Sequence, residues 1–226
     1  VPYEQFYTNS AWAYERAPGT YLMFPKRFVE TRTREPDWVG GPGQSDIVFM
    51  SSRDGVHWDR TFMEGFIRPG PEIENWHERS ILVSTGMIQT QPWELSMYIV
   101  EHYRTPTARC VRMAIRTDGF VSLKAGYRPG TVVTQPMAFA GSRLSLNYAT
   151  SAVGSVRVAV CDADGKALPG FSLDDCAEMW GDHIDGRVTW DGGSGDGGEL
   201  ARHAGKPVRL RFELKDSDLY ACKFSG

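Results

Sequence analysis

The chain has 226 residues and a mass of 25.3 kDa, enough for one large domain or two small ones with a buried core. Its 41% hydrophobic and 23% charged content excludes collagen-like, disordered and coiled-coil readings. A net charge of −3 without a long basic block argues against nucleic acid, and the apolar run Met97-Tyr98-Ile99-Val100 stops at Glu101, so no membrane span is expected.

From the start, Val1-Pro2-Tyr3-Glu4 carries neither an initiator Met nor the basic and apolar regions of a signal peptide. It reads as a mature form or a fragment, with a secreted or periplasmic location left open. Alternating or apolar runs of strand length follow at 20–24, 46–51, 81–88, 95–102, 110–116, 143–148, 155–161, 187–190 and 208–214. Only 174–180 and 199–203 could each make a short helical turn. Glycine and proline (24 and 13) and an aromatic content of 12% fit the same picture of short strands and tight turns: the fold is expected to be all-β. The 7 Trp and 9 Tyr also offer flat rings for the apolar faces of sugars, which leans the chain toward a carbohydrate partner. Cys110, Cys161, Cys176 and Cys222 show no Cys-x-x-Cys pair and no His at metal spacing. No metal or cofactor is expected, and Cys110 and Cys161 read as small apolar residues inside strands.

Composition changes around 126–136, where Gly126, Pro129, Gly130 and Pro136 punctuate the chain. Before it lie Trp12, Trp38, Trp58, Trp76 and Trp93 and the long loop 31–45; after it the turns tighten, with a hairpin signal at Asp162-Ala163-Asp164-Gly165 and a Gly/Asp loop over 191–198. Two domains are expected, 1–130 and 131–226. Within the first, a weak repeat of about 55–65 residues places an acidic turn after a strand twice, Ser52-Arg53-Asp54-Gly55-Val56-His57-Trp58 and Arg116-Thr117-Asp118-Gly119-Phe120. The repeat suggests two β-propeller blades.

The first of these turns resembles a contracted sialidase Asp-box and the blade-edge turn of five-bladed propeller glycosidases. Together with Arg60-Thr61-Phe62-Met63-Glu64, Ile67-Arg68-Pro69-Gly70 and Glu101-His102-Tyr103-Arg104, it resembles a bacterial glycosyl-hydrolase-like group. In that group a propeller of the glycoside hydrolase 32/43 type precedes a C-terminal β-sandwich. Leu146-Asn147-Tyr148, Gly154-Ser155-Val156-Arg157-Val158, Pro169-Gly170-Phe171-Ser172-Leu173 and Asp218-Leu219-Tyr220 are similar to the sandwich end. The resemblance implies partial propeller-like blades over 1–130, a jelly-roll-like β-sandwich over 131–226, and carbohydrate as substrate or ligand. A propeller closes with four or more blades, and 1–130 holds material for about two. The missing blades would come from a parent chain or from further copies in a homo-oligomer, unless these strands pack in another way.

Glycoside hydrolysis needs two facing carboxyl groups, one protonated and one ionised. Glu64, Glu78 and Glu101 are the candidates. Glu78 stands in Asn75-Trp76-His77-Glu78-Arg79, where Arg79 could hold a substrate carboxylate or hydroxyls, His77 could tune an acid, and Trp76 could contact sugar. Glu101 is followed by His102 and Tyr103, two further candidate substrate contacts; Glu64 has apolar neighbours that would keep it protonated. Each has a plainer reading: a loop salt bridge for Glu78, a strand end for Glu101, a pair with Arg60 or Arg68 for Glu64. Asp54 reads as structural, bonding the turn's amides while Gly55 takes a positive φ. Asp174, Asp175, Asp182, Asp185, Asp191 and Asp196 are a weaker calcium alternative, and a module that binds glycan without turnover is the competing function.

Overall fold

The computed structural model describes residues 3–32, 42–190 and 198–226. The fold is all-β, with 48% strand against 3% helix, and it includes a curled half-barrel sheet. The chain divides into two compact units, Val1–Arg116 and Thr117–Gly226.

In the first unit the strands are short: β1 Gln5–Tyr7, β2 Ala11–Ala13, β3 Tyr21–Met23, β4 Lys26–Val29, β5 Gln44–Ile47, β6 Met50–Ser52 and β7 Trp58–Asp59. They form two antiparallel sheets, β1-β4-β5 and β2-β3-β6-β7, and between β3 and β6 the chain passes through β4 and β5 of the other sheet. The run 46–51, expected as one strand, is broken at Val48-Phe49, and its halves join different sheets. Ile47, Val48, Phe49 and Met50 are all buried, so the alternation of a half-buried strand is lost where the chain changes sheet. Aromatic rings fill this crossing: Phe24 lies 4.9 Å from Phe66 and 5.5 Å from Phe49, and Trp12 stacks on it at 5.5 Å.

After a single 3-10 turn at Ile73–Asn75 come β8 Leu82–Val83, β9 Ile88–Gln91, β10 Glu94–Glu101 and β11 Arg109–Arg116. Here β10 is central, with β11 on one side and β8 and β9 sharing the other. Leu95, Met97 and Ile99 alternate onto the buried face. Cys110, expected inside, is exposed on β11, whereas Cys161 and Cys176 are buried; all four cysteines are free.

The second acidic turn coincides with the border between the units. The next strand, β12 Leu123–Ala125, pairs with the C-terminal strand, so 117–130, expected with the first domain, belong to the second unit. The turn also differs in backbone: Gly55 takes φ 74° in the first, whereas Asp118 takes φ 56° in the second.

The second unit is built on two long strands, β14 Arg143–Cys161 and β16 Arg209–Ser225, with β12 and β13 Gly130–Val133 along the other edge of β16 and β15 Asp182–Arg187 beside β14. The runs 143–148 and 155–161 are one strand, bulged between Thr150 and Ser155 where it faces Lys215 and Ser217. Such bulges bend a strand and add twist, and they curl this five-stranded sheet. Its inner face alternates through Leu144, Leu146, Tyr148, Val156, Val158, Val160, Leu210, Phe212 and Leu214, closed over by Phe171, Met179, Trp190 and Leu200. The run 187–190 ends as a strand at Arg187, and Trp190 meets Cys176 in an isolated bridge while its Nε1 donates to the Val158 carbonyl at 2.9 Å. The Asp162 hairpin forms as its sequence indicates, with Asp162 Oδ1 accepting from the Asp164 and Lys166 amides at 3.0 and 2.9 Å. Trp38, Asp191 and Asp196 lie outside the described residues.

Candidate functional site

Strand β4 sits in the middle of its three-stranded sheet, and its side chains alternate between two clefts of the first unit. Lys26 and Phe28 line one together with Tyr7, Thr8, Glu78, Arg79, Leu82 and Tyr103, in a volume of about 450 Å³. Arg27 and Val29 line the other with Arg32, Gln44, Asp46, Arg68 and Trp76, in about 560 Å³. The register explains the split, because Tyr7 stands directly across from Lys26, and Gln5 from Phe28.

The segment carrying Glu78 is anchored from β5. Ser45 Oγ donates to the Glu78 carbonyl at 2.7 Å and Gln44 Nε2 to the Trp76 carbonyl at 3.2 Å. The Arg79 amide donates to His77 Nδ1 at 3.2 Å, which orients the buried imidazole. The Glu78 carboxylate then lies 3.6 Å from His77 Nδ1 and 3.8 Å from Arg79 Nε. These are long separations, and Glu78 Oε2 is a buried acceptor without a hydrogen bond among the described residues. Thr8, on the cleft wall, and Ile81, beside it, hold φ of 49° and 50°, a region that costs β-branched residues energy.

Lys26 is the feature that sequence reading missed. It is 5% exposed, and no side-chain hydrogen bond or ion pair joins its ammonium to a described residue. Burial lowers its pKa from 10.5 to about 8; Glu78 acts against that shift and Arg79 with it. A period-2 reading of Lys26-Arg27-Phe28-Val29 as a strand would have flagged it, since it puts the lysine on the face of an aromatic residue.

The other candidates lie elsewhere in the unit. Glu101 accepts from Arg109 Nε at 2.8 Å, and Arg109 also pairs with Glu72. His102, buried, meets Glu72 Oε2 at 3.1 Å and Thr107 Oγ1 at 2.9 Å. The bond from His102, then the Arg109 charge, hold the Glu72 carboxyl below the usual range. Ligand atoms of Glu72, Glu101 and His102 lie within 4.8 Å of one another, but the Arg109 guanidinium bonds both carboxylates, which makes this a closed ion network. Glu72 and Arg109 carried no sequence signal, being 37 residues apart.

Glu64 is exposed, and so are its apolar neighbours Phe62 and Met63 at 46% and 40%, so no apolar wall encloses it. Arg60 turns to Glu4. Trp76 donates its Nε1 to the Gly70 carbonyl at 2.7 Å and faces the second cleft. Thus Glu78, Arg79 and Tyr103 share one cleft, Trp76 lines the other, Glu101 and His102 form the ion network, and Glu64 stands apart.

Compared with family models, curated proteins and solved structures, the chain matches none. Function therefore rests on the clefts themselves.

Proposed function

We propose that this is a carbohydrate-active protein whose first unit binds a sugar in the cleft of Lys26, Glu78 and Arg79. The observation that carries the reading is the lining itself: three aromatic rings, Tyr7, Phe28 and Tyr103, beside three charged groups. Tyr7 and Phe28 pack edge to face at 5.9 Å, giving an ordered apolar wall for a sugar face. Carboxylate, ammonium and guanidinium supply charge-assisted hydrogen bonds to hydroxyls. A volume of about 450 Å³ is within the range of small-ligand sites.

Binding has more support than hydrolysis. A glycosidase pair stands roughly 5–9.5 Å apart across the bond to be cut, and among the described residues Glu78 is the one carboxylate lining this cleft. The propeller-like reading of the unit is part of the proposal. It is supported by the short four-stranded antiparallel sheet β2-β3-β6-β7, with its Asp-Gly turn between the last two strands, and in it further blades come from a parent chain or other copies. Titration calorimetry against a glycan panel, with a reducing-sugar assay on the same mixtures, tests the function. The expected result is binding that Glu78→Gln and Tyr103→Ala each weaken at least tenfold, with no reducing ends released. Release of reducing sugar that Glu78→Gln abolishes would make the protein a hydrolase, and a panel without any ligand would overturn the reading.

A further inference from the structure

The charges of the cleft are unevenly matched. Among the described residues two cations, Lys26 and Arg79, face one anion, Glu78, so that lining is formally positive by one charge. Glu78 does not neutralise either cation closely: Arg79 stands 3.8 Å away with a half-exposed side chain, and Lys26 makes no ion pair with a described residue. A lysine that is only 5% exposed and has no ion pair with a described residue leaves a positive charge at the cleft that an anionic group entering it would complete. It is also placed to be completed, because β4 presents it beside Tyr7 and Phe28, the rings on which a sugar would lie.

We propose that the cleft selects an acidic sugar, a uronate, whose carboxylate is held between Lys26 and Arg79 while its ring lies on the aromatic wall. The inference rests on the sugar-binding reading above and names its ligand class. Each uronate residue brings one singly charged carboxylate, which matches the one uncompensated positive charge; a phosphate dianion at the same position would exceed it. The planar guanidinium of Arg79 suits a carboxylate's two oxygens, and Lys26 adds a point charge from the floor.

Recognition through Lys26 has a pH signature. The groups facing it are Glu78 and Arg79 from the 76–81 segment, Tyr7 from β1 and Tyr103 after β10; Asp46 of β5 pairs with Arg27 on the opposite face at 2.5 Å. Burial brings the free amine to a pKa of about 8. Above that pH the uronate must bring a proton back to Lys26, so its affinity falls about tenfold per pH unit. A neutral sugar on the same rings shows no such slope.

The test is calorimetric titration of the full chain with digalacturonate, the matching neutral galactose disaccharide, galactose 6-phosphate and succinate, from pH 6 to pH 9.5. Digalacturonate is expected to bind at least tenfold more tightly than the neutral disaccharide and the sugar phosphate. Lys26→Met should remove that preference and the slope above pH 8, weakening digalacturonate at least tenfold more than the neutral disaccharide; Lys26→Arg should keep the preference and lose the slope. Equal affinity for acidic and neutral sugars, or a uronate preference unchanged in Lys26→Met, would overturn the inference and leave sugar binding standing. Lys26-dependent binding of succinate with no sugar bound would instead overturn the sugar reading, and no ligand in any arm would overturn both.

Discussion

Lys26 is held at a cost to the fold, and that cost is measurable. Its pKa is lowered in the folded chain, so between about 8 and 10.5 the unfolded chain binds more protons, and stability rises with pH across this window. Lys26→Met removes the desolvated charge and is expected to stabilise the unit by about 1 kcal/mol below pH 8, seen as a higher denaturation midpoint. An unchanged midpoint would mean that the ammonium is solvated. The Asp54 turn has the opposite character. Asp54 accepts from the Val56 and His57 amides at 2.8 and 2.7 Å and from His57 Nδ1 at 2.6 Å. The His57 ring, then the amides, hold its carboxyl well below the ordinary range, and Asp54 raises His57. The depressed acid supports the turn above its ordinary pKa of 3.8 and loses that support as pH falls; the raised imidazole supports it below 6.5 and loses that as pH rises. The turn should be tightest between those values, and an NMR titration of His57 with a midpoint at or below 6.5 would contradict this. Asp54 was legible in the sequence and Lys26 was not. An Asp-Gly turn is specified by neighbours in the chain, whereas the state of Lys26 depends on its burial in the folded unit and then on Glu78, fifty-two residues away.

At the scale of elements, the bends of β14 and β16 decide the shape of the second unit. Where β14 bulges, a Cβ on Gly154 would stand 2.3 Å from the Asp216 carbonyl and 2.8 Å from that of Lys215. These are backbone atoms of the paired strand and cannot swing away. Gly154→Ala is therefore expected to cost about 1–3 kcal/mol in chemical denaturation, whereas Gly130→Ala, with nothing within 4 Å, should be near neutral. The same bulge hid the strand from sequence reading. Ala149-Thr150-Ser151-Ala152-Val153-Gly154 lacks apolar alternation, so 143–148 and 155–161 read as two strands. Periodicity found the halves because Leu144, Leu146, Val156, Val158 and Val160 face one core; it could not see that pairing with β16 continues through the bend. The strands β1 and β4 went unread for a related reason. Each has only three or four residues, too few for a period to show.

For the whole molecule, the all-β class was legible because alternation and turn residues recur throughout. The border between units was read at the Gly/Pro-rich stretch around 130, yet it falls at Arg116/Thr117, since the distant strand residues Ser217–Leu219 pair with 123–125. The second unit has its own core, centred on Leu144, Val158, Leu210 and Trp190. Residues 117–226 alone are expected to unfold cooperatively, with Leu210→Ala costing about 2–5 kcal/mol; a non-cooperative melt of that fragment would show that the core is insufficient. The candidate carboxylates were legible as residues but not as a site. The 76–81 segment brings Glu78 to the cleft of Lys26, which no local sequence writes, whereas Glu101 meets Arg109 because the register of the β10–β11 hairpin sets them opposite each other.

Sugar binding in the Lys26 cleft is tested most directly by amide and side-chain NMR shifts of the full chain on titration with digalacturonate. Shifts concentrated at Tyr7, Thr8, Lys26, Phe28, Glu78, Arg79 and Tyr103 are the predicted result. Saturable shifts confined to the second unit, or to the face of Arg27 and Trp76, would contradict it.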